Sequence, residues 1–375
     1  MGENRAPVAV VAGHICLDIT PAFENSEPIP VSRLLRPGRL TRVGVADVHT
    51  GGCVANTGLA LHRLGVPTRL IARVGADAFG RLIGELLAAE GADVRLKVDE
   101  AGSTSYSVVI APPGVDRMFL HHAGANEAFG EADVPDALLS GAKLLHFGYP
   151  PMMLTMLRDG GAQLLALFAR ARALGLATSL DMVAFDPASE AGRIDWPALL
   201  ARLLPMVDFF LPSAEELCLL LDAPLHAEWL ARAGGGDVTE TLDIARDIAP
   251  LAVRLLRMGV KVALIKCGAR GLYYQAADDA AIRGIPLPFD SGDWADACGF
   301  VPAYRPRKVV SATGAGDTCI AAYLASALEG LPPLHCAQRA AATGACCVEA
   351  YDALSGLLPL AEIDRRIASG WAHNE

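Results

Sequence analysis

Short apolar runs alternate with longer amphipathic stretches over most of this 375-residue chain. Each run is long enough to cross a buried sheet, and the stretch that follows is long enough for a helix that returns the chain. The pattern is typical of a parallel sheet covered by helices, which is an α/β fold. We predict strands near residues 7–12, 67–73, 143–148, 177–182, 207–212 and 261–266, with helices after most of them.

Three regions interrupt this alternation. Residues 13–50 and 95–123 contain β-branched and polar residues with little helical periodicity, so we expect them to pair into a small separate sheet that acts as a lid. Residues 276–308 are rich in Pro, Gly and Asp and follow neither period, which predicts a long irregular insertion. Residues 1–375 are therefore expected to form a single domain that carries a lid.

Composition and charge argue against several classes of partner. The formal net charge of −10 repels polyanions, and the Lys and Arg residues are dispersed, which disfavours nucleic acid as a partner. Apolar runs are too short to cross a membrane, and the N-terminal residues lack a basic region followed by a long apolar stretch. The nine cysteines form no Cys-x-x-Cys pair. We therefore expect a cytoplasmic protein with reduced thiols and no membrane partner.

The most informative segment is SATGAGDTCIAAYLASALEGL, residues 311–331. Glycines open it and helical spacing follows, so the turn of Gly314, Ala315 and Gly316 is predicted at a helix N-terminus. Unpaired N–H groups and the helix dipole favour an anion there, such as a transferring phosphoryl group. Asp317, in the first helical turn, is placed to accept the proton of an attacking hydroxyl. The alternative is a tight turn in which the carboxylate only complements the helix dipole.

Two segments resemble the ribokinase-like carbohydrate kinases, also called the PfkB family. TGAGDTCIAAYLASAL is similar to the C-terminal signature of that family, and GGCVANTGLALHRLG, residues 51–65, is similar to its N-terminal signature. The resemblance implies a doubly wound, mostly parallel sheet sandwiched by helices, with a small β-sheet lid. It also implies ATP and Mg2+ as cofactors, Asp317 as the catalytic base, and an anion hole formed by Gly314, Ala315 and Gly316.

The resemblance assigns substrate binding to five residues of this chain. The resemblance implies that Asp18 of GHICLD binds substrate hydroxyls, since a carboxylate can accept two such hydrogen bonds. Gly51 and Gly52 let a substrate approach the backbone, and the Asn56 amide offers a donor and an acceptor. Asn126, in HHAGAN, is a candidate substrate contact on the segment that returns from the lid. The alternatives without a functional role are that Asp18 is simply a loop residue and that Asn56 is an incidental asparagine at a helix start.

The nucleotide side falls on a later turn. KCGARG, residues 266–271, resembles the turn that family members place against ATP. The resemblance assigns Lys266, Gly268 and Gly271 to ATP binding, because the two glycines would let the nucleotide lie against the backbone. Thr343 stands near the position where relatives place a residue beside the adenine.

A third segment concerns the binding of Mg2+. DFFLPSAEE, residues 208–216, resembles the Asn-x-x-Glu metal and phosphate motif of the family, with Ser213 in place of the asparagine. Glu216 would act through ordered water on Mg2+, an ion that keeps much of its hydration shell. The alternative is a capping box, because Ser213-x-x-Glu216 precedes a predicted helix. Ser311 stands where many relatives carry an Asp that helps to hold an activating monovalent cation, so dependence on that cation is not implied.

Other residues do not identify the class of substrate. Asp181 ends a predicted strand but lacks the Asn-x-Arg that often follows it in sugar-acid and fructose kinases. His14, Cys16 and Asp18 alternate at a strand end, which indicates packing and loop polarity more than a metal cluster. Cys53 has no activating base nearby in the sequence and is expected only to line the site.

The predicted activity is transfer of the γ-phosphoryl group from ATP to a hydroxyl of a small carbohydrate. A nucleoside kinase of the same fold is the first alternative, because this scaffold also accepts a ribose that carries a base. The second alternative is a non-catalytic relative that binds a sugar or a nucleotide, although such a protein would not need Asp317. The resemblance also suggests a homodimer formed through the lid.

Overall fold

The computed structural model describes residues 8–23, 31–112 and 118–374. Within these ranges, thirteen β-strands form two sheets. The strands are β1 (Ala9–Gly13), β2 (Cys16–Pro21), β3 (Ala46–Gly51), β4 (Thr68–Gly75), β5 (Asp93–Asp99), β6 (Tyr106–Ile110), β7 (Met118–His122), β8 (Leu144–Gly148), β9 (Ala177–Asp181), β10 (Phe209–Phe210), β11 (Val262–Lys266), β12 (Gly271–Ala276) and β13 (Cys298–Pro302).

The described residues also contain fourteen α-helices. They are α1 (Val31–Leu34), α2 (Cys53–Arg63), α3 (Ala78–Ala89), α4 (Asp136–Leu139), α5 (Leu154–Ala173), α6 (Trp196–Leu203), α7 (Ala214–Leu221), α8 (Ala223–Ala233), α9 (Ala249–Arg257), α10 (Asp279–Ile282), α11 (Ser291–Trp294), α12 (Ala315–Leu328), α13 (Pro333–Cys347) and α14 (Leu360–Ala368). Residues 158–161 interrupt α5 with non-helical backbone angles. Over these same ranges of the chain, no helix has the length and apolar character needed to cross a membrane.

The larger sheet runs in the order β13-β12-β11-β10-β9-β8-β1-β4-β5 among the described residues. Every pairing from β11 to β5 is parallel, whereas β12 pairs antiparallel with both of its neighbours. β1, β8 and β9 are buried along their whole length, as expected for strands of a parallel sheet covered on both faces. β1 and β8 are mainly apolar, whereas β9 also buries Thr178, Ser179 and Asp181. The predicted mostly parallel α/β fold is confirmed, and the six predicted strands correspond to β1, β4, β8, β9, β10 and β11.

Helices cover both faces of this sheet. Ile320 of α12 belongs to the same apolar cluster as Val11 of β1, and Leu164 of α5 belongs to the opposite cluster with Val10. Neighbouring residues of one strand therefore face opposite helix layers, as the two-residue period of a strand requires. The core accordingly lies in two layers, one on each side of the sheet.

The smaller sheet runs in the order β3-β2-β6-β7 among the described residues. The predicted small separate sheet is therefore present, but the predicted start of its second region at residue 95 is wrong. β5 pairs in parallel with β4 and forms an edge of the larger sheet. Arg69 and Arg73 of β4 bind Asp93 and Asp99 of β5, and these ion pairs hold the edge strand in place. Two segments of the predicted lid regions lie outside the described residues, namely 24–30 and 113–117.

The predicted insertion at residues 276–308 is more regular than its composition indicates. It contains α10, α11 and β13, and β13 pairs antiparallel with β12 at the edge of the larger sheet. Trp294 is fully buried, stacks on Phe289 with ring centroids 4.6 Å apart, and donates a hydrogen bond to the Leu331 carbonyl. Such isolated tertiary contacts order the segment without a long amphipathic face, so its sequence shows no period.

The parallel strands end at one edge of the sheet, and this edge carries the candidate site. β1, β8, β9 and β11 end there, directly before or at His14, Tyr149, Asp181 and Lys266. The N-termini of α2 and α12 begin at the same edge, since Asn56 and Asp317 in their first turns are hydrogen-bonded to each other. Ligands of open α/β sheets bind outside the carboxyl ends of the strands, which is the place where these groups meet.

Candidate active site

Asp317 accepts hydrogen bonds from three side chains. Asn56 Nδ2 donates to Oδ2 at 3.0 Å and Thr57 Oγ1 donates to Oδ1 at 3.1 Å, both from α2. The hydroxyl of Tyr149 donates to both carboxylate oxygens, at 2.8 and 2.9 Å. Only 5% of Asp317 is exposed. These donors fix the orientation of the carboxylate, which is what a catalytic base requires.

The environment of Asp317 also changes its acidity. Burial raises the pKa of the carboxyl group above its ordinary value of 3.8, while Lys266 and the hydrogen bonds from Asn56, Tyr149 and Thr57 act in the opposite direction. A carboxylate whose pKa is raised binds a proton more strongly than an exposed one does. It is therefore better suited to receive the proton of an alcohol.

The turn before Asp317 leaves two amides unpaired. Gly314 caps α12 with a φ of 73°, a left-handed conformation that favours glycine. Among the described residues, no acceptor is found for the N–H groups of Gly316 and Asp317. The N–H of Ala315 instead donates to the Ala312 carbonyl at 3.3 Å. The amides of residues 316 and 317 are therefore available to an anion, and the anion hole of Gly314, Ala315 and Gly316 stays a prediction.

Lys266 faces the same turn from the end of β11. A Cβ added at Gly316 would lie 3.5 Å from the Lys266 Nζ, which itself lies 2.9 Å from Oδ1 of Asp181. Burial lowers the pKa of Lys266, but the carboxylates of Asp181, Glu216 and Asp317 outweigh it and raise the pKa. Burial also raises the pKa of Asp181, against the influence of the lysine. The ammonium thus stays protonated at the place where phosphate would lie.

Asp18 and His14 fill the space beside the glycines that precede α2. A Cβ added at Gly51 would lie 2.2 Å from Asp18 Oδ2, and one added at Gly52 would lie 2.5 Å from His14 Nδ1. The side chains of the protein itself therefore require both glycines, in addition to any substrate. Asp18 is buried and accepts a hydrogen bond from Cys16 Sγ at 3.3 Å. Its contact with a substrate stays a prediction.

Asn126 supports the backbone between β1 and β2. It is fully buried, and its Nδ2 donates to the carbonyls of Ile15 at 2.7 Å and Ala123 at 3.2 Å. Its Oδ1 accepts the N–H of Ile15 at 3.2 Å. The amide is thus bonded to the loop between β1 and β2, and a direct contact of Asn126 with a substrate stays a prediction. Its effect on the site through these bonds is indirect, because Ile15 lies between His14 and Cys16.

The nucleotide-side glycines have structural reasons of their own. Gly268 has a φ of 57°, and a Cβ there would lie 2.5 Å from Thr239 Oγ1. Gly271 has a φ of 132°, and a Cβ there would lie 2.1 Å from the Val301 carbonyl across the β12–β13 pair. Thr343 is fully buried in α13, with no partner for its hydroxyl among the described residues. ATP contacts at these positions stay predictions.

Ser213 and Glu216 form the capping box that the sequence left as an alternative. Glu216 N–H donates to Ser213 Oγ at 3.2 Å, and Ser213 N–H donates to Glu216 Oε2 at 2.8 Å. The carboxylate also contributes to the raised pKa of Lys266 and of Asp181, so it lies within electrostatic reach of the site. The capping role is therefore present, and the metal role stays a prediction.

Sequence reasoning missed three polar groups of the site. Thr57 and Tyr149 bind Asp317. Thr57 lies in the signature segment 51–65, where only other residues were assigned a role, and Tyr149 lies in no recognisable motif. The ring nitrogens of His14 are buried with no hydrogen-bond partner among the described residues. Burial and the neighbouring His121 lower the pKa of His14 to about 3, so its ring is neutral. A buried neutral imidazole of this kind has an unused donor and acceptor.

The fold and these contacts define a class of protein. A buried carboxylate, free helix amides and an ammonium at the carboxyl ends of a parallel sheet suit the transfer of a phosphoryl group. The model of the pfkB family carbohydrate kinases matches residues 10–359, and the chain belongs to that family. It is accordingly a phosphotransferase of a family that acts on sugar hydroxyls.

Individual relatives agree with this assignment. The ribokinase of Arabidopsis thaliana is 25% identical over 94% of this chain and 82% of its own length. A nucleoside kinase of Methanothermobacter thermautotrophicus is 24% identical over 100% of this chain and 99% of its own. An E. coli protein assigned provisionally as Ribokinase II, solved with ATP and Mg2+, has a TM-score of 0.69 at 23% identity over 97% of this chain and 99% of its own. The ribokinase-like fold predicted from the sequence is confirmed.

Proposed function

We propose that this protein transfers the γ-phosphoryl group of ATP to a hydroxyl of a small carbohydrate, with Asp317 as the catalytic base. One observation carries the proposal. The oriented Asp317 carboxylate and the free N–H groups of Gly316 and Asp317 belong to the same first turn of α12. A base that takes an alcohol proton must stand next to the groups that hold the transferring phosphate.

Each of these groups has one role in the transfer. The acceptor oxygen attacks the γ-phosphorus, the bond to the leaving ADP oxygen breaks, and the acceptor proton moves to the Asp317 carboxylate. The amides of residues 316 and 317 donate to the transferring oxygens, and the dipole of α12 favours their negative charge. Lys266 supplies a positive charge beside Gly316. Together they hold the phosphoryl group in line with the alcohol.

The carboxylates near Lys266 fit a site for Mg2+. Asp181 Oδ2 is buried with no hydrogen-bond partner among the described residues, and Glu216 uses one oxygen in its capping box. Mg2+ usually keeps several waters and takes one or two carboxylates together with substrate phosphates. When bound, the ion would neutralise charge on those phosphates. We propose that Glu216 and Asp181 hold its water shell, with Ser213 placing Glu216.

Two acceptor classes fit the site. Asp18 and the neutral His14 offer hydrogen-bonding groups to the hydroxyls of a sugar, whether or not that sugar carries a base. A small carbohydrate is the first candidate because the family acts on sugars. A nucleoside is the second, because the M. thermautotrophicus nucleoside kinase aligns over the full length of this chain. A screen for ADP release with ribose, fructose, 2-keto-3-deoxygluconate, adenosine and inosine would distinguish them.

We also propose a homodimer through the smaller sheet. Phe119 and Leu120 of β7 are 53% and 60% exposed, and such large apolar side chains on a sheet favour a partner surface. Light scattering after size-exclusion chromatography would give the mass. A monomer at all concentrations would contradict this, and Leu120→Lys should weaken a dimer that does form.

The base is tested by Asp317→Asn. We expect a loss of kcat of at least about a hundredfold, since positioned acid–base catalysis contributes about 10²–10⁴-fold, while ATP binding is largely retained. Asp208→Asn is not a useful control, because Asp208 is itself ion-paired and buried. Asp290→Asn is a better one, because Asp290 caps a short helix away from the site. Near-normal turnover by Asp317→Asn would refute the assignment.

A further inference from the structure

Tyr149 is the least expected of the groups that bind Asp317. It follows the last residue of β8 and has a φ of 66° and a ψ of 43°. A left-handed backbone is unfavourable for an aromatic residue, and such strain is usually kept where it serves a function. Its ring stacks against His14, with centroids 5.9 Å apart. The strained backbone and this stacking direct the hydroxyl to Asp317.

The hydrogen bonds at Asp317 use its whole accepting capacity. Two carboxylate oxygens offer about four lone-pair sites. Asn56 and Thr57 take one site each, and the hydroxyl of Tyr149 takes the other two through its bonds to both oxygens. An acceptor alcohol needs one of these sites before it can give up its proton. The shared Tyr149 bond can give up one oxygen and still keep the other, whereas the single bonds of Asn56 and Thr57 cannot.

We propose that Tyr149 is a positioning residue for Asp317, which holds the carboxylate through both oxygens and yields one of them to the acceptor alcohol. The inference rests on the proposed role of Asp317 as the base. The tyrosine hydroxyl and the alcohol that replaces it are both O–H donors, so the exchange leaves the accepting geometry of the carboxylate unchanged. Tyr149 then keeps the remaining hydrogen bond and stabilises the charged form of the base.

Several other titratable groups surround the carboxylate. Lys266 and the three hydrogen-bond donors lower the pKa of Asp317, against the effect of burial. Loss of the Tyr149 hydroxyl should therefore raise that pKa. The thiols that face this region are neutral because burial raises the pKa of each, so they do not compensate for the lost donor. The titratable groups that act on Asp317 or are affected by it, among the described residues, include Tyr149, Lys266, Asp181, Cys53, Cys319 and Cys347.

The test is Tyr149→Phe, assayed with whichever of the five screened acceptors gives the fastest ADP release. We expect kcat to fall about tenfold and the acid limb of its pH profile to move up by about one pH unit, since one lost hydrogen bond to a charged group has that size. The KM for the acceptor should stay the same or fall by less than about threefold, because the alcohol no longer competes with a hydroxyl. Tyr273→Phe should leave all three values unchanged, because the hydroxyl of Tyr273 donates to Gln275 at 3.4 Å and takes no part in the contacts of Asp317.

Two outcomes would overturn the inference: wild-type kcat and acid limb in Tyr149→Phe, or a lower kcat with an unmoved acid limb, which would indicate a merely structural role. In the Asp317→Asn background, Tyr149→Phe should have no further effect on the residual rate. If Asp317→Asn keeps full activity, the proposed function itself is refuted. If Asp317→Asn loses activity but Tyr149→Phe behaves as the wild type does, only the inference about Tyr149 is refuted. Should Tyr149→Phe not fold, 3,5-difluorotyrosine placed at position 149 keeps the shape, and its stronger donor should move the acid limb down instead.

Discussion

The Nζ atom of Lys266 lies 2.9 Å from Oδ1 of Asp181, although the two strands that end at these residues are separated by a third. Lys266 ends β11 and Asp181 ends β9, with β10 between them. The lysine side chain therefore passes over the end of β10 along the edge of the sheet. Asp181 is buried and only 12% of the Lys266 side chain is exposed, so each charge needs the other to offset its desolvation. The pair places a protonated amine beside the glycine turn of α12.

Replacement of Lys266 by Met should impair both stability and catalysis. Asp181 would lose its partner in a buried site, which we expect to cost about 3 kcal/mol of unfolding free energy. The KM for ATP should rise and kcat should fall, because the positive charge beside Gly316 is lost. Urea denaturation and steady-state kinetics would measure the two effects.

A second lysine–aspartate pair, next to β11, provides the control for Lys266→Met. Lys261, the residue before this strand, lies 2.6 Å from Asp208, and both are buried. Lys261→Met should therefore lower stability by a similar amount, with kcat and the KM for ATP unchanged in the folded enzyme. Unchanged kinetics in Lys266→Met as well would show that the lysine has only a structural role.

The pH dependence of the reaction should report Asp317. Only the carboxylate form can accept a proton, so kcat/KM should fall as the pH falls through the pKa of Asp317. Burial raises this pKa above 3.8, so the acid limb should lie above the range of an exposed aspartate. Lys266→Met should move the limb further up, because the lysine lowers this pKa. A rate that stays constant down to about pH 4 would contradict the role of Asp317 as a buried base.

Gly314→Ala should be damaging for two separable reasons. A Cβ at Gly314 would lie 2.2 Å from Cβ of Ala353, and the φ of 73° also disfavours alanine. Gly65 has a φ of 93° with no atom within 4 Å of an added Cβ. Gly65→Ala should therefore cost about 1–2 kcal/mol for the backbone alone.

Overpacking should add about 1–3 kcal/mol to this cost in Gly314→Ala. A shift of the adjacent turn should also lower kcat, because Asp317 lies in it. Urea denaturation of both variants and kinetics of the folded enzymes would check this. Equal stability losses in the two variants would mean that the loop of Ala353 moves aside freely.

Asn126→Ala tests whether this residue is structural. The variant removes three buried hydrogen bonds to the backbone of Ile15 and Ala123, and we expect a loss of about 2 kcal/mol or more in unfolding free energy. The KM for the acceptor should change little. Asp18→Asn is the contrasting variant, and it should raise that KM without a comparable loss of stability. A raised KM for Asn126→Ala at unchanged stability would indicate that Asn126 contacts the substrate.

Much of the fold was predictable because its signals are local. β1 and β8 are buried along their whole length, and they appear in the sequence as mainly apolar runs. The turn before Asp317 was predictable for a similar reason, since glycine at a helix start has a direct conformational meaning. β5 was assigned to the lid and β13 to an irregular insertion, because the sequence of an edge strand does not indicate which strand it pairs with.

The sequence by itself determined the order of strands and helices, the glycine turn of α12 and the position of Asp317, because each depends on neighbours within a few residues. Only the tertiary structure decided which side chains surround that carboxylate. Tyr149, Thr57 and Lys266 come from three distant parts of the chain and meet because parallel strands end at one edge of the sheet. The same packing bonded Asn126 to the backbone, a role that depends on a contact 111 residues away.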